Sequence, residues 1–300
     1  MNFEILGKSN FAVLKEREKK MRVNSKRVKM KGMEQILIDL KPRRCDADVF
    51  INTGIDVTKL MDYLDEKKKE GKKYTFFHAI VLAFGKTIYN RPKLNRYIQN
   101  RHMFMHTDVV ISFVAKVSFF DDSKELMIQI PISEDETLDS LSKKIKDKVK
   151  GIREGQDKVE GANSAIEIVG KLPNIIRVPL VGILKFMDDK GLLPLSLQKD
   201  DLYFSSAIVT NIGSLKSDSI YHNNTNFGNC SSITSIGEVR DIIKIIDGEE
   251  KIIKSCNFGL NFDERIADGF YLIKSFKLFE YILNNPELLE DRADTKIEME

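Results

Sequence analysis

The sequence predicts an α/β fold, and three stretches carry that expectation. Residues 256–277 alternate apolar and polar side chains from Asn257 to Phe262. They then break at a charged turn and take up a 3.6-residue apolar period at Tyr271, Leu272, Phe276 and Phe279. Period two followed by period 3.6 marks a strand handing over to a helix. Residues 108–119, DVVISFVAKVSF, hold β-branched and aromatic residues at near-continuous density, as expected for a strand covered on both faces. Residues 75–89, TFFHAIVLAFGKTIY, are apolar almost all round and predict a helix buried on most of its surface.

Length and charge narrow the classes. Three hundred residues allow one large domain or two small ones, with enough chain to bury most of its apolar surface. Against 48 Lys and Arg stand 45 Asp and Glu, a near balance that gives no reason to expect a nucleic-acid partner. Cys45, Cys230 and Cys256 are odd in number and far apart, which suits reduced thiols in a cytoplasmic protein. No run approaches the eighteen apolar residues of a membrane span, and no signal-peptide core opens the chain. The four histidines and three cysteines follow no metal-ligand spacing, so no metal is expected. Glycine-rich phosphate loops and a Gly-x-Ser-x-Gly elbow are missing as well.

Taken in order, residues 1–32 form a basic arm, read as solvated or as an electrostatic contact with an acidic partner or phosphates. Residues 33–40 predict a short helix ended by Pro42, and residues 48–56 a strand. An amphipathic helix follows over 57–70, closed by Gly71, and then the buried helix of 75–89, stopped by Pro92. Residues 102–106, 108–119 and 126–131 predict three strands of one sheet, with a turn at Asp121-Asp122-Ser123. A helix begins at Thr137. Residues 163–198 are long apolar stretches broken by Pro173, Pro179 and Pro194, and predict two or three short helices with proline-set joints. Their apolar surface needs cover from the same domain, a partner subunit, or a membrane-surface or acyl-chain contact. Residues 203–211 and 232–241 predict strands, 242–255 a hairpin around Asp247-Gly248, and 269–284 a closing helix ahead of Pro286.

Residues 261–269, Asn-Phe-Asp-Glu-Arg-Ile-Ala-Asp-Gly, resemble the Phe-Asp-His-Arg-x-x-Asp-Gly signature of the acyltransferase subunit of 2-oxoacid dehydrogenase complexes, which shares the fold of chloramphenicol acetyltransferase. Agreement falls on Phe262, Asp263, Arg265, Asp268 and Gly269; Glu264 stands where that family has its catalytic histidine. The buried helix followed by Arg-Pro-Lys-Leu-Asn, and the segment Val-Thr-Asn-Ile-Gly at 209–213, resemble further parts of the family. Together the resemblance covers about 33–160 and 200–290, with 163–198 as a helical insertion. It implies a chloramphenicol acetyltransferase-like two-layer mixed sheet packed with helices, forming a domain over 33–300. No lipoyl-bearing or subunit-binding domain is recognisable, so membership of a large multienzyme complex is not expected.

The resemblance also implies a chemistry. Family members use an imidazole as general base and a hydroxyl from the facing strand as oxyanion donor, in homotrimers with the site at the subunit boundary. Glu264 would take the base position, Thr210 the donor position, and Asp268 would hold local geometry through an ion pair with Arg43 or Arg44. Asn211 and His222 would contact substrate. Coenzyme A thioester would be a co-substrate rather than a bound cofactor, the donor being acyl-CoA or a carrier-protein pantetheine and the acceptor a small molecule. For Glu264 itself three readings stand: a base whose pKa burial has raised, a substrate-orienting group, or a surface carboxylate paired with Arg265 or a lysine. His78 reads as a satisfied core residue, and His102 and His106 as surface residues of a strand. An acyltransferase and a catalytically silent binding or assembly module of the same fold are both consistent with these residues.

Overall fold

The computed structural model describes residues 24–116, 125–154 and 162–299. Most of the basic arm and the turn expected at Asp121-Asp122-Ser123 lie outside them. Strands β1 (Ser25–Arg27), β2 (Asp48–Asp56), β3 (Arg96–Gln99), β4 (His102–His106), β5 (Val109–Lys116), β6 (Glu125–Ile132), β7 (Ala207–Asn211), β8 (Ser232–Ile246) and β9 (Glu249–Asp263) alternate with helices. The helices are α1 (Gly32–Leu40), α2 (Thr58–Lys69), α3 (Phe76–Asn90), α4 (Leu138–Arg153), α5 (Ala162–Gly170), α6 (Asn174–Asp189), α7 (Leu195–Gln198) and α8 (Gly269–Asn284).

Six strands form a mixed sheet in the order β2-β9-β8-β7-β5-β6, with β8, β7 and β5 parallel and the outer pairs antiparallel. The sequence expectation of a mixed sheet packed with helices agrees with this architecture. One part of it does not. The strand at 102–106 belongs with β1 and β3 in a separate three-stranded sheet, because the left-handed turn at Asn100 and Arg101 folds β4 back on β3 before the chain reaches β5. Ser25–Arg27, within the expected arm, pairs with β4 as its outer neighbour.

One face of the large sheet is packed by α2, α3, α4 and α8. α3 is buried without interruption from His78 to Ile88 and touches all three of the others. Its apolar residues meet Phe258, Leu260 and Phe262, alternate residues of β9, in a single core. Thr75 caps α3 by accepting from the His78 amide at 3.2 Å. The His78 imidazole meets the Ser142 hydroxyl at 2.8 Å, and burial lowers its pKa to about 4, so it serves as a neutral core group.

β8 and β9 are each fifteen residues long and join through Asp247 and Gly248, both at positive φ as a two-residue hairpin requires. The separate strands expected within 232–255 are therefore parts of one long ribbon, bent by a bulge between Ile236 and Val239. The proline-broken stretch forms helices α5, α6 and α7, but Pro179 lies inside α6 instead of at a joint. The carbonyl its missing N–H leaves free is that of Ile175, a residue 83% exposed, where water can take the bond. Ile175, Val178 and Phe186 are all more than half exposed, so the described residues of the domain do not cover this outer face of α6.

Opposite the helices, the segment 217–226 runs across β8, β9 and β2. Asn257 donates to Asp218 at 3.0 Å, Asn261 to the His222 carbonyl at 2.7 Å, and Asn224 to Asp48 at 2.8 Å; Tyr221 meets Phe50 edge to face at 5.1 Å. Gly259 permits the approach, since a Cβ there would lie 2.4 Å from the Ile220 carbonyl oxygen. Backbone cannot rotate aside as a side chain can. Gly259→Ala should therefore cost about 1–3 kcal/mol in urea unfolding and open 217–226 to limited proteolysis, with the helix-side core intact by near-ultraviolet circular dichroism.

Candidate active site

The charged turn after β9 is built on the pairing of Asp48 with Asp263, which brings the turn Arg44–Ala47 against the end of that strand. Asp263 is fully buried and takes a bidentate fork from Arg265, with Nε to Oδ1 at 2.8 Å and Nη2 to Oδ2 at 2.7 Å. Arg265 Nη1 also donates to the carbonyls of Lys41 and Pro42. Arg44, 5% exposed, lies with Nε 3.9 Å from Asp263 Oδ2 and donates through its two Nη atoms to the carbonyls of Thr225, Phe227 and Gly228. Burial lowers the Arg44 pKa from its usual range, and the Asp263 carboxylate acts against that shift.

Between these two buried residues of the turn sits Glu264. Its amide donates to Ala47 and its half-exposed carboxylate forms an ion pair with Lys41. Of the sequence readings, the geometry matches a carboxylate paired with a lysine; Arg265 is committed to Asp263. Asp268 is exposed and caps α8, accepting from the Tyr271 amide at 2.8 Å. The ion pair expected between Asp268 and Arg43 or Arg44 is not formed. Arg43 forks onto Asp46, at 2.7 Å for Nη2, and Arg44 reaches Asp263 because the strand register delivers it there, five residues before Asp268.

Thr210 and Asn211 close β7. Thr210 is half-buried and in register with Ser235, while Asn211 is exposed and its carbonyl accepts from Ser214 at 3.2 Å. Ser235 is in turn paired with Gly259 of β9. Glu264 thus lies five residues farther along the sheet and two strands away, about 16 Å along and about 10 Å across. One chain does not bring Thr210 and Glu264 together.

His222 lies above Asn261. Its carbonyl accepts from that side chain, its ring Nε2 and the Asn261 Oδ1 are both buried without a partner, and burial lowers the imidazole pKa. His106, expected at the surface, packs against Tyr97 and donates from Nε2 to the Asn229 carbonyl at 3.3 Å; burial holds it at about 4. Two residues of this region carried no sequence signal. Lys41 partners a residue 223 positions away, and Asp188, at the end of α6, accepts from the Gly228 amide at 2.8 Å. Desolvation raises the Asp188 carboxyl to about 6. Among the described residues no cluster of His, Cys, Asp and Glu could hold a metal ion, and no helix is long and apolar enough to cross a membrane.

No protein-family model matches the sequence, and no curated protein matches it. Solved structures do match. A probable dihydrolipoamide acetyltransferase from Listeria monocytogenes superposes with a TM-score of 0.57 at 15% identity, over 87% of this chain and 94% of that one. The cubic core of the pyruvate dehydrogenase multienzyme complex gives 0.56 at 14% identity, over 88% and 93%. Chloramphenicol acetyltransferase gives 0.52 at 12% identity, over 86% and 99%. The fold expected from the turn motif is the fold of the chain.

Two outcomes follow from the buried charges. Asp263→Ala should destabilise by about 3–5 kcal/mol in urea unfolding, since it leaves two guanidinium groups buried without their carboxylate. For Asp188, a folded pKa near 6 against an ordinary 3.8 means that the folded state takes up the proton first. Its contribution is present in full below pH 3.8 and is lost as pH rises through 6. Between pH 7 and pH 4 the wild type should therefore gain on Asp188→Asn by on the order of 1–3 kcal/mol, read from paired unfolding curves.

Proposed function

We propose that the chain is an acyltransferase. In this reading it moves an acyl group from a coenzyme A or carrier-pantetheine thioester to a hydroxyl, amine or thiol of a small acceptor. It works as a homotrimer in which the end of β9 in one copy faces β7 of the next. The observation that carries the reading is the fold together with Thr210, a half-buried hydroxyl at the end of a parallel strand, on the same face of β7 as Ile208 and away from the helix-side core. Three free thiols support a reducing, cytoplasmic setting.

The acceptor loses its proton to Glu264 as its heteroatom bonds to the thioester carbonyl carbon. Negative charge moves to the carbonyl oxygen, where a pre-placed hydroxyl donor such as Thr210 stabilises it. Collapse of that oxyanion breaks the carbon–sulfur bond, and the sulfur leaves as the coenzyme A thiol with the proton. Lys41 in this scheme orients the Glu264 carboxylate. The separation of Thr210 and Glu264 within one chain is why the scheme needs a second copy. A cyclic trimer makes three identical boundaries and hence three sites.

A second reading has its own support. The ion pair with Lys41 already occupies the Glu264 carboxylate, as befits a silent module that binds a thioester or a partner without turning it over. Thiol release from acetyl-CoA with a panel of acceptors separates the two. Acyl transfer predicts release that falls about 10²–10⁴-fold in Glu264→Gln and about 10²–10³-fold in Thr210→Val. Mixing and reassembling the two inactive variants should return part of the activity, because some boundaries then carry both intact groups. Coenzyme A binding without release indicates the module, and full activity in Glu264→Gln removes Glu264 from the chemistry.

A further inference from the structure

Away from the strand end, α5, α6 and α7 line a half-open cavity of about 370 Å³. Its wall is apolar: Val169 from α5, Val181 and Leu184 from α6, Leu197 from α7, and the rings of Tyr203 and Phe227 from the segments beside β7 and β8. Folding leaves such a volume open only where helices are held apart. Here Pro173 and Pro194 begin α6 and α7, and Asp188 fastens the end of α6 to Gly228. The size lies within the range of small-molecule sites, and an apolar wall with few polar groups is their usual chemistry.

The polar groups of the lining are of two kinds. Arg177 and Lys185 line the cavity from α6. Arg177 donates to the Gly170 carbonyl and to Asn174, both neutral, and no described carboxylate pairs with either cation. Asp201 supplies a buried carboxyl, with Oδ1 accepting from the Tyr203 amide at 2.8 Å; burial raises its pKa to about 6. A ligand that buries hydrocarbon and ends in an anion matches the apolar wall and its cations, with Asp201 held by the Tyr203 amide. A sugar matches neither.

We infer that this cavity is a binding site for an aliphatic chain with an anionic end, the chain lying among Val169, Val181, Leu184 and Phe227 and the anion meeting Lys185. A free fatty acid and the acyl chain of a thioester share this chemistry. The inference stands apart from the acyl-transfer reading, since it involves neither Glu264 nor Thr210 and is tested by binding.

The test is calorimetric titration of the full chain with saturated fatty acids of six to sixteen carbons, and with the matching acyl-CoAs, below their micellar concentrations. Affinity should rise about fourfold per methylene and then level off where the chain fills the cavity. Leu184→Trp and Val169→Trp, each filling the cavity from a different helix, should weaken binding at least tenfold. Either variant suffices if the other fails to fold, with melting temperature as the check. Lys185→Glu should weaken the acids and leave the alcohols of equal length unchanged. Acids binding and acyl-CoAs failing identify the free acid as ligand; acyl-CoAs binding as well or better identify the thioester. No saturable binding, affinity independent of chain length, or unchanged affinity in a folded tryptophan variant would overturn the proposal.

Discussion

Two guanidinium groups, of Arg44 and Arg265, lie beside a single carboxylate, of Asp263, and all three are withdrawn from water. One negative charge does not neutralise two positive ones, and burying the excess would cost several kcal/mol without further partners. The partners are backbone carbonyls: those of Lys41 and Pro42 for Arg265, and of Thr225, Phe227 and Gly228 for Arg44. Satisfying these charges therefore ties three distant segments, 41–47, 225–228 and 263–265, to one point. Asp188 adds α6 by holding the amide of Gly228.

Glu264 is placed by that knot and not by contacts of its own. Its neighbours on either side are buried, its amide is bonded to Ala47, and its side chain is the part of the turn left half in solvent, against Lys41. The rest of the turn motif is accounted for by structure. Asp263 and Arg265 make the buried fork, and Asp268 caps α8 with Gly269 as its first residue. A motif can thus identify a fold with confidence in the scaffold while saying little about the one position where chemistry would differ. An imidazole at that position could stay neutral, whereas a carboxylate attracts whichever ammonium the fold leaves near, and the fold leaves Lys41.

What was legible in the sequence follows from the range of the forces involved. Helix α3, the β9 to α8 switch and the hairpin at Asp247-Gly248 are encoded by neighbours within a turn or two, and period and turn chemistry disclose them. The division of the strands into two sheets depends on left-handed residues at Asn100 and Arg101, neither of them a glycine. The partner of Arg44 depends on register: β2 pairs with β9 so that Asp48 meets Asp263, and a one-residue slip would have changed it. Lys41 and Asp188 were invisible for the same reason, each meeting its partner only after the chain has closed. Pro179 shows the limit of a local rule, since a helix tolerates proline where the orphaned carbonyl faces water.

The cavity beside α6 and the strand end share one peptide. Phe227 is a wall of the cavity, and the next residue, Gly228, has its carbonyl held by Arg44 and its amide by Asp188. With φ at +83° and room for no Cβ within 2.3 Å of the Tyr203 carbonyl, Gly228 has no slack in which to absorb a displacement. A shift of Phe227 against an occupant must then be taken up by its own side-chain rotation or passed to Arg44, and from Arg44 to Asp263 and the turn bearing Glu264. Side-chain rotation is the softer path, so a small occupant leaves the turn where it is.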